Sequence, residues 1–84
     1  MAENRPYKRF KSGLVEATIW VNEKGREKDV IEFKSVTLKK SWHDDKNNMW
    51  RDSSITFLGE ELTKAILVLQ KAQEDLLLHR EEGK

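Results

Sequence analysis

Alternation of apolar and polar residues is the first signal along the chain. In GLVEATIWVNEKG, Val15, Ala17, Ile19 and Val21 share one parity, and Glu16, Thr18, Trp20 and Asn22 share the other. A period of two in β-branched and aromatic residues predicts a half-buried strand. The polar run Asn22 to Glu27 predicts a hairpin connection in which Gly25 takes a positive φ. A second extended segment is predicted over residues 30–43, VIEFKSVTLKKSWH. Here Ile31 and Phe33 share one parity while Val36, Leu38 and Trp42 share the other, so a bulge or sharp bend is expected near Lys34-Ser35. Asp44 to Asn48 has the composition of a turn. The third strand is expected from Met49 to about Phe57, with Ile55 and Phe57 pointing inward.

The period then changes. From Gly59-Glu60-Glu61 onward, Leu62, Ala65, Ile66, Leu69, Ala72, Gln73, Leu76 and Leu77 recur at helical spacing. Two acids in the first turn complement the helix dipole. The pattern lasts to Leu78 or His79, about 30 Å of helix. The predicted fold class is α+β: a curved antiparallel β-meander followed by one long C-terminal helix, β-β-β-α. The expected layout is a basic N-terminal arm over residues 1–11, a single domain over 12–79 and a charged tail over 80–84.

The helix holds more apolar surface than its main stripe requires. Val68 widens the stripe at one edge, and Leu67 and Leu78 lie on the opposite side, on one line along the helix. The chain has 84 residues and no cysteine, so a disulfide cannot reinforce what must be a thin core. A second protomer is expected to cover the surplus, making the protein a homodimer with Leu67, Val68, Lys71 and Leu78 at the interface. The alternative is that Tyr7 and Phe10 of the arm fold back over Leu67 and Leu78.

Composition narrows the function classes. Net charge is +1 and 37% of residues are charged. Residues 1–58 hold twelve Lys/Arg against nine Asp/Glu, and residues 59–84 hold four against six. The strand region is therefore the basic one, with Arg5, Lys8, Arg9 and Lys11 its densest patch. No apolar run approaches a membrane span, and no signal-peptide pattern follows the basic N-terminus. A cytoplasmic protein is expected, without a membrane partner, small-molecule substrate or cofactor. His43 and His79 lack the local partners of a nucleophilic site. Asp45 to Asn48 faintly resembles a calcium loop without its glycine or distal glutamate. Glu60-Glu61 and Glu81-Glu82 are adjacent on the helix or tail and point apart. Neither enzyme activity nor a metal site is predicted.

If the helix covers one sheet face, parity assigns the other. It would present Glu16, Thr18 and Trp20, then Ser35, Thr37, Lys39 and Ser41, then Trp50, Asp52, Ser54 and Thr56. Hydroxyls and lysines bond phosphate oxygens, and an exposed indole gives an unpaired base a surface to stack on. Ser and Thr are also ordinary residues on solvated strands, and either tryptophan could pack on the arm or across strands.

The run SSITFLGEELTKAILVLQKA, preceded by curved strands joined through NEKGRE, resembles the transcriptional coactivator positive cofactor four family and the related Whirly domains. The resemblance spans about residues 12–78 and rests on element order and hydrophobic spacing. The helix carries Leu62 and Ile66 where that family commonly has a tryptophan. It implies a homodimer packed through its helices, with curved sheets that bind single-stranded DNA. By position it implies contacts from Lys34, Lys39, Lys40, Arg51, Trp20 and Trp50. Together with Lys8, Arg9, Lys11, Thr18 and Thr37, these form the expected surface for single-stranded DNA or RNA. A protein-interaction or regulatory subunit on the same dimeric scaffold is the alternative.

Overall fold

The computed structural model describes residues 3–25 and 27–78. Four strands form one antiparallel meander in the order β1-β2-β3-β4: β1 (Glu3–Ser12), β2 (Val15–Lys24), β3 (Ile31–Asp44) and β4 (Met49–Leu58). A short 3-10 turn, Glu27–Asp29, lies between β2 and β3, and one helix, α1 (Glu60–Leu78), follows β4. The architecture is α+β, with a strand more than alternation suggests. The segment read as an arm is β1, paired to β2 from Glu3↔Glu23 to Ser12↔Val15. Its sequence hides it, because charged residues fill both parities and Pro6 interrupts them. An edge strand tolerates both features.

The bulge also lies elsewhere. β2 and β3 pair without interruption from Val15↔Lys40 to Lys24↔Ile31, so no parity switch occurs at Lys34-Ser35. The register shift is in β1, between Pro6 and Lys8. Ile31 and Phe33 consequently share a face with Ser35, Thr37 and Lys39. Gly25 allows the tight return between β2 and β3. Its φ is 114°, and a Cβ there would stand 2.2 Å from the Asp29 carbonyl oxygen.

Cross-strand partners lie on the same face, so the registers define two surfaces. One is apolar. Its rows run Lys8, Ile19, Val36, Phe57 and then Phe10, Ala17, Leu38, Ile55, continuing to Val15, Trp42 and Met49. The other face is polar and carries the residues described below.

The helix begins as the sequence predicts, with Glu60 and Glu61 in its first turn. Gly59 has a φ of 52°, and the Leu58 N–H donates to Glu61 Oε1 at 2.9 Å. These features set the direction in which α1 leaves β4. It does not fold back over the apolar face. Within the chain it packs against β4, with Leu62 and Ala65 half-buried and no helix residue fully buried. Ile66, Leu69, Leu76 and Leu77 stand exposed, as do Phe10 and Ile55 on the sheet. Val21 is the one described apolar residue below a tenth exposed.

The result is an open molecule. Its radius of gyration is 17.3 Å, against about 12 Å for a compact chain of this length. Its accessible area is 7546 Å², roughly 2300 Å² above that of a compact monomer of the same mass. Tyr7 and Phe10 cannot supply the missing cover for the helix. They belong to β1, at the opposite edge of the sheet from β4, and Leu67 and Leu78 remain exposed.

Candidate nucleic-acid interface

The polar face is a set of cross-strand rows. Thr18, Thr37 and Thr56 are opposite one another on β2, β3 and β4, with Arg9 extending the row onto β1. The Thr37 and Thr56 hydroxyls are 2.9 Å apart and share a hydrogen bond. The next row is Lys11, Glu16, Lys39 and Ser54, and the one on the other side is Pro6, Trp20, Ser35 and Leu58. Beyond Trp20, the Asn22 side-chain amide donates to Ser35 Oγ at 3.0 Å and to the Phe33 carbonyl at 3.4 Å. Thr18, Asn22 and Ser35 are buried although polar.

Two adjoining hollows result, and they share Trp20 and Thr37. One is walled by Trp20, Phe33 and Leu58, with Asn22, Ser35 and Thr56 supplying polar groups. The other is bounded by Arg9, Glu16, Thr18, Lys39 and Ser54. An apolar wall beside hydroxyls suits a planar heteroaromatic ring, and cations one row away suit the anion attached to it. Lys39 Nζ is 3.6 Å from Glu16 Oε1, so that cation begins partnered.

Of the residues expected to bind nucleic acid, Arg9, Lys11, Thr18, Trp20, Thr37, Lys39 and Trp50 lie on this polar face. Trp50 is far from Trp20. It pairs with His43, eight residues along β3 from the Ser35 opposite Trp20, a path of about 26 Å. Its ring meets the His43 ring edge-on at 5.3 Å. The two indoles therefore neither touch nor form one stack.

Lys8, Lys34, Lys40 and Arg51 lie on the apolar face. Lys8 sits over the Phe10 ring at 5.5 Å and Lys34 over Tyr7 at 5.3 Å, contacts favourable to both partners. Arg51 Nε donates to Asp44 Oδ2 at 2.6 Å. Asp44 also accepts from the Asn47 side chain and from the Lys46 and Asn47 backbone N–H groups. The Asn47 amide, and then the Arg51 guanidinium, hold the Asp44 carboxyl below its ordinary pKa. These carboxylate oxygens tie down the turn that resembles a calcium loop. His43 Nδ1 is likewise 2.6 Å from Asp45 Oδ1, whereas His79 lies outside the described residues.

The residues expected at a dimer interface are exposed along α1. Val68 borders the notch between the helix and β4, near Ile55 and Phe57. Leu67 and Leu78 face outward, and Lys71 pairs loosely with Glu74 at 3.9 Å. The expected polar face omits Phe33, Leu58 and Asn22, although strand parity puts Asn22 with Trp20 and Leu58 with Thr56 and misses only Phe33. Keeping the β2–β3 register in step through the hairpin is the signal that recovers Phe33 opposite Asn22. No described helix is long and apolar enough to cross a membrane. No protein-family model, curated protein or solved structure matches the chain.

Proposed function

We propose that this chain forms a non-enzymatic homodimer that binds single-stranded nucleic acid across the polar faces of its sheets. The observation that carries the reading is the division of labour between faces. One face and the helix are apolar and uncovered within the chain. The other combines a half-buried indole, a hydroxyl row and cations on adjacent strands.

A second copy is the natural cover for the apolar surface. The excess area of roughly 2300 Å² per chain, doubled, falls within the 2,000–5,000 Å² that obligate dimers typically bury. Leu67, Val68, Lys71 and Leu78 lie on that surface. Placing the polar faces outward leaves Trp20 open to a base and Arg9, Lys11 and Lys39 open to its phosphates. Duplex DNA fits less well, because its bases are already stacked. The sequence resemblance to the positive cofactor four and Whirly families supports the same reading.

The rival is a protein-interaction or regulatory subunit on the same dimer. It is favoured by the apolar wall of Phe33 and Leu58, which would also accept a partner's side chain. Oligo-dT titration separates the two. Quenched tryptophan fluorescence, with affinity falling steeply as salt rises, is expected for nucleic acid. An unchanged spectrum at low salt would favour the protein partner. Sedimentation at the same concentrations should give about twice the 9.9 kDa chain mass.

A further inference from the structure

The cation most central to the polar face is already occupied by the protein's own acid. Lys39 projects from β3 beside the threonine row, and its ammonium lies 3.6 Å from the Glu16 carboxylate on β2. Lys11 is opposite Glu16 on the other side, across the β1–β2 pairing. Glu16 thus stands between two lysines in one row, and it borders the same hollow as Arg9 and Trp20. Its side chain is 23% exposed and that of Lys39 is 44% exposed, so both are open to an incoming anion.

We propose that Glu16 acts as an internal competitor for phosphate, holding Lys39 until a nucleic-acid backbone displaces it. The inference rests on the single-strand reading above and identifies a residue that tunes its affinity. A phosphate that reaches Lys39 must first part it from Glu16. The released carboxylate then faces the same polyanion and attracts a cation from solution. That uptake offsets the counterions that the phosphate gives up. Lys39 should therefore contribute little to the salt dependence of the native protein, and should contribute fully once Glu16 is neutral.

The test is oligo-dT binding by Glu16→Gln, Lys39→Gln and the double variant, measured over a range of salt with folding checked by circular dichroism. E16Q should bind about 3- to 10-fold more tightly at low salt, with its log–log salt slope steeper by about 0.7, the value for one phosphate contact on a single strand. K39Q should lose little affinity alone and abolish the gain when combined with E16Q. A folded E16Q with unchanged affinity and slope would overturn the inference and leave the proposed function standing, provided the native protein binds. An equal loss from K39Q in both backgrounds would also overturn it, because Lys39 would then be independent of Glu16. Absence of binding by native protein and E16Q alike at low salt would overturn the proposed function itself. If E16Q fails to fold, Lys39→Gln still decides: a large loss of affinity and slope in the native background counts against the competitor role, and a small one supports it.

Discussion

The two faces of the sheet are made by the same strands, yet they solve opposite problems. On the polar face, hydroxyls and an amide bond one another across strands: Asn22 donates to Ser35, both buried, and Thr37 shares a bond with Thr56. On the apolar face, Ile19, Val36 and Leu38 are only half-buried and Ile55 remains 55% exposed. Polar groups can satisfy each other within one sheet layer. Hydrocarbon side chains need a second layer to leave water. The apolar face is therefore unfinished in a way the polar face is not.

The sharpest way to break this contrast is to place a charge on the unfinished side. In a self-sufficient monomer, Leu69→Glu on the helix or Ile55→Asp on the sheet, both more than half exposed, would be near-neutral surface changes, within about 0.5 kcal/mol. If a second copy covers both, each variant buries an unpaired charge and should cost about 3–5 kcal/mol. The expected result is loss of the dimer in sedimentation, together with loss of the native protein's concentration-dependent melting. A monomeric native protein whose melting is insensitive to L69E would remove the need for a second layer.

On the polar side, Trp20→Ala should weaken oligo-dT binding by about 1–3 kcal/mol while leaving sedimentation unchanged. Trp50→Ala should matter less, because that indole is near the far end of β3 and already engages His43. Equal losses from both would mean the strand of nucleic acid runs the full length of β3. If W20A breaks the dimer, the two faces are not separable.

How much of this was legible beforehand depends on whether neighbours in sequence carried the signal. The helix was, because Leu62 to Leu77 repeat at one spacing and Gly59 with two acids marks the start. So was the turn at Asp44 to Asn48, since its composition is local. β1 was not, because an edge strand with Lys8, Arg9 and Lys11 around a single Phe10 has no apolar parity to detect. Phe33 was misplaced for a different reason. Apolar character argues for the apolar face, whereas register puts Phe33 in the wall of a hollow on the polar one. The helix's departure from its own sheet is a matter of long-range docking, set by Gly59 and the Glu61 bond to the Leu58 N–H, and no periodicity reports it.

A smaller effect refines the polar face. Thr37→Val keeps the shape of the side chain and removes the hydroxyl shared with Thr56. That should cost about 0.5–1.5 kcal/mol of stability, with Thr56 still able to reach water. If the hydroxyl row contacts the nucleic acid, affinity should fall as well. If stability alone changes, the row is structural and the binding path runs through Trp20 and the cations.

The smallest expected effect is at the turn, and it tests whether the apolar face is silent in binding. Asp44 is held ionised below its ordinary pKa by Asn47 and Arg51. A depressed carboxyl contributes its stability fully above the ordinary carboxylate range and loses it as pH falls through the lowered value. Asp44→Asn should therefore lower the melting temperature slightly at neutral pH, and the gap to the native protein should close in acid. The same change frees Arg51 from its 2.6 Å partner. Arg51 lies opposite Trp42 on the apolar face, so oligo-dT affinity should stay constant despite the newly unpaired cation. Tighter binding by D44N would place a phosphate within reach of Arg51, and the nucleic acid would then wrap around the β4 edge instead of keeping to one face.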